Sequence, residues 1–378
     1  MGDMGAEVIK IEEPGIGDPL RRSKRIGMIS FEIPGNRSMF SEGANRNKKS
    51  VTINLRTDKG QEALYRLVSR SDVFLTNMRR QAVEAMKINY PILRKVNPRL
   101  IYATVSAFRP KGPDSDKGGF DYQGQARSGF MHSMGEDDSR PFVCQFGIID
   151  QATAIMASHQ IISALYMRER FGVAQEVHVS ILSSAIFLNY FNVLIAQMGG
   201  FEVPRHKRST DQPLRNYYKC GDNRWIMMTL NPPDKHWIRL CRALEHPELE
   251  NDSRFDSNDK RIENSSKLVA ILDEIFVSRP LDEWLQIFSE YDLFCCGVNS
   301  TLELADDPQI IENDYLVDFE HPTLGKVKIP GYPVSFSESW AGTTSAAPEL
   351  GEHSEEVLME IADYSEEEVA DLRKEGIV

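Results

Sequence analysis

The feature that most constrains this chain is the alternation of short β-forming runs with helical patterns over its first 180 residues. Residues 6–12, with apolar and charged side chains in turn, end in Glu12-Glu13-Pro14-Gly15 and read as a strand. Residues 50–55, 72–77 and 100–105 supply three more strands, and 176–179 a fifth. Residues 59–69 and 81–86 between them carry apolar side chains at helical spacing. Strand followed by helix, repeated, predicts a parallel sheet covered by helices.

Residues 150–170 form a helix that is apolar on most sides and closed by Phe171-Gly172, so it is expected to be largely buried. Residues 181–198 are the most apolar run. Ser183, Ser184, Asn189, Asn192 and Gln197 interrupt it, which a bilayer core would penalise, so it reads as another buried helix. A linker follows with Gly199-Gly200, Pro204 and the basic cluster Arg205-His206-Lys207-Arg208. Beyond it, a hairpin turning at Gly221-Asp222-Asn223 and several short helices suggest a smaller α+β domain. A second hairpin turning at Leu324-Gly325, a polar link and an acidic helix near 365–375 complete the chain. The expected division is a large domain over 1–200, a linker over 201–216, a small α+β domain over 217–320, and a linker with returning C-terminal segment over 321–378.

A formal charge of -12 argues against a nucleic-acid partner, which needs a concentrated basic face. Five cysteines, at 144, 220, 241, 295 and 296, have no metal-ligand spacing, and an odd number fits reduced thiols, hence a cytoplasmic protein. Cys295 and Cys296, in an apolar setting, read as two buried structural thiols. No signal-peptide pattern opens the sequence and no membrane association is expected.

No Gly-rich dinucleotide fingerprint, Walker sequence, metal cluster or Gly-x-Ser-x-Gly elbow occurs. What remains is Asp150, at the start of an apolar helix. Position alone favours a helix cap stabilising by about 1 kcal/mol. The chemical alternative is a carboxylate nucleophile whose neighbouring N–H groups receive an oxyanion.

The order of sequence blocks resembles the class III CoA-transferases, the family of formyl-CoA:oxalate, carnitine, bile-acid and 2-hydroxyacyl CoA-transferases. The blocks are Gly5-Ala6-Glu7-Val8-Ile9-Lys10-Ile11-Glu12 with Gly17-Asp18-Pro19-Leu20-Arg21, then Asn45-Arg46-Asn47-Lys48-Lys49-Ser50-Val51, and Asp72-Val73-Phe74-Leu75-Thr76-Asn77. Gly119-Phe120-Asp121-Tyr122 with Gln125-Ala126-Arg127-Ser128-Gly129, residues 150–166, and Leu350-Gly351-Glu352-His353-Ser354-Glu355-Glu356-Val357-Leu358 follow. The match runs nearly end to end.

The resemblance implies a Rossmann-like large domain, a smaller α+β domain, long linkers and two chains interlocked as a homodimer. It implies an acyl-CoA:carboxylate CoA-transferase with Asp150 as nucleophile, passing through an aspartyl mixed anhydride and an aspartyl-CoA thioester. Coenzyme A and acyl-CoA would be substrates, with no permanently bound cofactor and no metal. The CoA-contacting positions carry over to Ile53, Arg56, Asn77 and Ala82, with Arg21 and Asn45. Arg79 and Arg80 beside them could pair with phosphates or belong to a solvated loop. The cluster at 205–208 reads first as a charged linker, and Glu352 and His353 as structural.

Three departures accompany the resemblance. The family has a further strand and Gly-rich turn ahead of the position of Met1, so the large domain lacks its first strand in the sequence as given. Glu13 stands where some members have a basic residue. Phe120 stands where the family's racemases have His, which favours transfer over the alternative of an α-methylacyl-CoA epimerase. A catalytically silent CoA-binding homologue is the other alternative.

Overall fold

The computed structural model describes residues 1–137 and 139–378. The chain divides into two compact units: residues 1–130, 144–190 and 305–378 form the first, and residues 131–143 and 191–304 the second.

The first unit is a mixed α/β structure with parallel sheet segments. Strands β1 (Val8–Glu12) and β2 (Lys48–Thr52) pair in parallel from Val8↔Lys48 to Glu12↔Thr52. Strands β3 (Val73–Thr76), β4 (Ile101–Ser106) and β5 (Glu176–Ser180) form a second parallel segment with β4 central. The alternation in the sequence suggests one sheet, whereas the described strands make two separate sheets, because β1 and β3 share no hydrogen bonds. Ile11 of β1 and Phe74 of β3 nevertheless pack against one apolar cluster built on Leu64, Val68, Leu100 and Tyr102.

Helix α1 (Asp58–Ser69) is started by Thr57, whose hydroxyl accepts the Gly60 N–H at 3.0 Å, and buries Ala63, Leu64, Leu67 and Val68. Helix α2 (Arg80–Ala85) follows β3 directly. Helix α3 (Asp121–Arg127) lies after β4, and the 24-residue helix α4 (Ile148–Phe171) begins at Gly147 and ends at left-handed Gly172. Arg168, near the end of α4, is buried and donates to Asp72 Oδ1 at 2.8 Å and to the Arg99 carbonyl at 3.3 Å, fixing the helix to the entry of β3 and β4.

The sequence predicts that α4 and the run after it are buried, and the structure corrects this. Ile155, Ile162, Tyr166 and Phe171 of α4 are exposed in the single chain. The apolar run is two helices, α5 (Ile181–Leu188) and residues Tyr190–Gly199, because the chain breaks at Asn189, whose side-chain amide donates to the Ser128 carbonyl. Ile186, Phe187 and Leu188 are also exposed. An apolar pattern specifies that surface avoids water, and the covering atoms need not belong to the same chain. Among the described residues, no single helix is long and apolar enough to cross a membrane.

In the second unit, β6 (Arg215–Lys219) and β7 (Trp225–Thr229) form the expected hairpin, with Asn223 left-handed at its turn. β7 also pairs with β8 (Cys295–Gly297). Helices α6 (Pro233–Ala243), α7 (Ser265–Phe276) and α8 (Leu281–Glu290) pack Trp237, Leu240, Leu272, Phe276, Trp284 and Phe288 against one face of this sheet. The period of two along β8 separates the paired cysteines: Cys295 packs half-buried against the core and Cys296 points outward and is exposed, so the expectation of two buried thiols is met in part by Cys295 and fails for Cys296. The chain returns to the first unit through the hairpin of β9 (Leu316–His321) and β10 (Gly325–Pro330). Helices α9 (Ser354–Glu360) and α10 (Glu366–Lys374) then bury Val357, Leu358, Val369 and Leu372 against Val51, Ile53 and Leu67.

Candidate functional site

Asp150 is the third residue of α4 and does not cap it. The N-cap is Gly147, at φ +70°, preceded by Phe146 at φ +60°. Two left-handed residues in succession, one of them aromatic, are costly by about 1 kcal/mol or more and need support. That support is visible. Gln125, fully buried on α3, donates to the Cys144 carbonyl at 2.8 Å and accepts the Cys144 N–H at 3.0 Å. Gln151 donates to the Phe146 carbonyl at 3.0 Å.

The capping carboxylate comes from Asp121, the first residue of α3. Its Oδ2 accepts the Ile149 N–H at 2.7 Å and the Asp150 N–H at 3.1 Å, and its Oδ1 accepts from Gln125 Nε2. Asp121 is 5% exposed. The expectation that N–H groups at this helix start are free to receive an oxyanion therefore fails for these two. The Asp150 carboxylate, relieved of capping, keeps an exposed face in the single chain. Enough protein still crowds it that desolvation, followed by the negative charge of Asp121, pushes its pKa above the ordinary value. The close approach behind this geometry requires Gly124: a Cβ there would overlap Cγ2 of Ile181 and lie 3.5 Å from Cγ2 of Ile149.

The predicted CoA-contacting residues fall into two groups. Arg56, Asn77, Arg79 and Arg80 are exposed at the carboxyl ends of β2 and β3, with Ala82 half-buried on α2. Arg80 pairs with Asp116 at 3.2 Å and Arg56 with Glu13 at 3.5 Å, both in open solvent. The Arg79 guanidinium lies so close to Gly118 that a Cβ there would overlap it. Arg21, Asn45 and Ile53 are engaged within the fold instead. Arg21 donates to both carboxylate oxygens of Glu12, at 2.7 and 2.8 Å, and to the Pro348 carbonyl at 2.9 Å. Asn45 is buried, bonded to Ser41 and to the Lys10 ammonium. Ile53 is core.

Sequence reasoning missed Arg109, whose guanidinium donates to the Met78 carbonyl at 2.6 Å and pins the loop that carries Asn77 and Arg79. It also gave no role to Asp121 or Gln125. Their four-residue spacing on a short helix after Gly118-Gly119 was the available signal. The basic cluster at 205–208 is spent inside the second unit, with Arg208 forked onto Asp273 and Arg205 donating to the Ser139 carbonyl. His353 accepts the Ser50 N–H at 3.4 Å, and Glu352 accepts the Glu349 N–H at 2.7 Å.

Comparison with known proteins places the chain in a family. The (R)-2-hydroxy-4-methylpentanoate CoA-transferase of Clostridioides difficile is 32% identical over all of this chain and 94% of its own length. The succinyl-CoA:glutarate CoA-transferase of Homo sapiens is 29% identical over all of this chain and 85% of its own. The crystal structure of a CAIB/BAIF family protein from Brucella suis superimposes with a TM-score of 0.85 at 26% identity, covering 95% of this chain and 93% of that one. Residues 1–354 match the profile of CoA-transferase family III. With a full-length relative above 30% identity and that profile spanning nearly the whole sequence, the chain belongs to CoA-transferase family III.

Proposed function

We propose that this chain transfers CoA between carboxylic acids by covalent catalysis on Asp150. The observation that carries the reading is an uncapped, partly desolvated carboxylate at the start of α4, made more basic by its surroundings and open to an incoming thioester.

A carboxylate oxygen of Asp150 attacks the thioester carbonyl of the donor acyl-CoA. The C–S bond breaks, leaving an aspartyl mixed anhydride and CoA thiolate. The thiolate then attacks the aspartyl carbon, forming aspartyl-CoA thioester and expelling the donor acid as its carboxylate. An acceptor carboxylate attacks this thioester, regenerating an anhydride and thiolate, and the thiolate takes the acceptor's acyl carbon. Product acyl-CoA leaves and Asp150 is a carboxylate again. Every step exchanges one acyl bond for another, so electrons and protons balance without a redox partner.

The CoA phosphates fall to Arg56, Arg79 and Arg80, with Asn77 and Ala82 contacting the adenosine or pantetheine portion from the carboxyl ends of β2 and β3. Arg21, Asn45 and Ile53 hold the strands beneath. This arrangement suits a Rossmann-like core. A second copy of the chain, interlocked as a homodimer, covers the exposed Ile155, Ile162, Tyr166 and Phe187 of α4 and α5. Phe120, 79% exposed beside Asp121, offers no proton-transfer group, which supports transfer over epimerisation.

The test is incubation with acyl-CoA donors, beginning with succinyl-CoA and a 2-hydroxyacyl-CoA, followed by peptide mass spectrometry. A mass adduct on Asp150, lost in Asp150→Asn, is expected. Binding of CoA with no adduct from any donor would leave a silent homologue, and deuterium exchange at the substrate α-carbon in heavy water would point to an epimerase.

A further inference from the structure

We infer that Asp121 is a positioning residue for the transfer reaction: its buried carboxylate, clasped to the first N–H groups of α4, sets the direction in which Asp150 meets the thioester and keeps a negative charge beside it. This rests on Asp150 being the nucleophile. The physical reason lies in what a helix start does to a carboxylate. Free N–H groups and the positive end of the helix dipole stabilise an anion there, which lowers its basicity and dulls it as a nucleophile. In this chain Asp121 takes the Ile149 and Asp150 N–H groups at 2.7 and 3.1 Å and offsets the dipole with its own charge. Asp150 then faces repulsion instead of stabilisation, consistent with its upward-shifted pKa. A simple cap from Asp150 itself would have consumed the attacking oxygens.

The clasp is braced on every side. Gln125 holds Asp121 Oδ1 and both backbone groups of Cys144, so helix α3 and the turn into α4 move as one piece. Ile181 of α5 closes against Gly124. Of the elements packed here, α3 contributes Asp121, the 144–147 turn and the start of α5 contribute no charged side chain, and α4 contributes Asp150 itself. Among the described residues, Asp121 is the one charged group acting on Asp150.

The experiment measures single-turnover formation of the Asp150 adduct from acyl-CoA across pH, by rapid quench and mass spectrometry. Asp121→Asn keeps the shape and one acceptor but removes the charge. The acid limb of the rate profile is expected to move to lower pH, and the plateau rate to fall about tenfold or more. Asp121→Glu keeps the charge and alters the reach, so its acid limb stays at the wild-type position while its plateau drops. A structural role alone would leave the acid limb in place for both. A wild-type acid limb in Asp121→Asn, or a plateau within about twofold of wild type, overturns the inference while the nucleophile reading stands. If Asp121→Asn does not fold, Gln125→Met carries the test: the charge stays, the brace goes, and an unchanged plateau overturns the positioning role. Wild-type protein that forms no adduct at any pH sinks the nucleophile reading and this inference with it.

Discussion

Glu12→Gln isolates the best-defined buried charge in the first unit. The Glu12 side chain is 1% exposed and accepts four hydrogen bonds: Arg21 Nε at 2.7 Å and the Asp18 N–H at 3.0 Å on one oxygen, Arg21 Nη2 at 2.8 Å and the Ser50 hydroxyl at 2.6 Å on the other. Burial alone would raise its pKa, but the Arg21 and Ser50 side chains and the Asp18 N–H outweigh it and hold the carboxyl at about 2, against an ordinary 4.5. Each unit of such a difference is worth about 1.4 kcal/mol, so the charged form contributes about 3 kcal/mol to folding at neutral pH. Because the folded pKa is the lower one, that contribution is present in full above about 4.5 and is lost as pH falls toward about 2. Glutamine keeps the shape and leaves the Arg21 cation without its counter-charge, a loss in the range of about 3–5 kcal/mol for buried pairs. Urea unfolding of wild type and Glu12→Gln, followed by far-ultraviolet circular dichroism at pH 7, 4 and 3, reads the difference directly. We expect a gap of about 3 kcal/mol at pH 7 that narrows steadily in acid. A gap below about 1 kcal/mol at pH 7, or one that is the same size at pH 3, would refute both the pairing and the assignment of Arg21 to the fold.

Two further outcomes are expected besides those for Asp150 and Asp121. Gly124→Ala gains about 1 kcal/mol of helix propensity but drives a methyl into Ile181, so a net loss of about 1–2 kcal/mol in urea unfolding is expected, partly recovered by adding Ile181→Ala. Arg79→Ala and Arg80→Ala should each raise KM for acyl-CoA about tenfold with kcat nearly unchanged, an effect that shrinks as salt is added; an unaltered KM in both would remove the phosphate role.

The elements of the first unit were legible because their patterns are local. The strands at 8–12, 48–52, 73–76 and 101–106 lie within three residues of their expected places, since β-branched runs bounded by Gly, Pro and Asn need no distant partner to declare themselves. Both hairpins turn where Asn223 and Gly325 supply positive φ. Burial was less legible. The apolar residues of α4 and α5 announce that they avoid water, and a single chain leaves Ile155 and Phe187 uncovered. Cys295 and Cys296 look alike in sequence and part company only when the alternation of β8 assigns them opposite faces.

The sequence by itself determined the family, the alternating strands and helices, and the candidacy of one aspartate at a helix start. Local propensity and the order of motifs carry that information along the chain. Only the tertiary structure decided that the cap belongs to Asp121, twenty-nine residues earlier in sequence, and that Arg21 answers to Glu12. Which carboxylate satisfies a helix end, and which is left without a capping role, depends on distances of about 3 Å between residues that sequence spacing does not bring together.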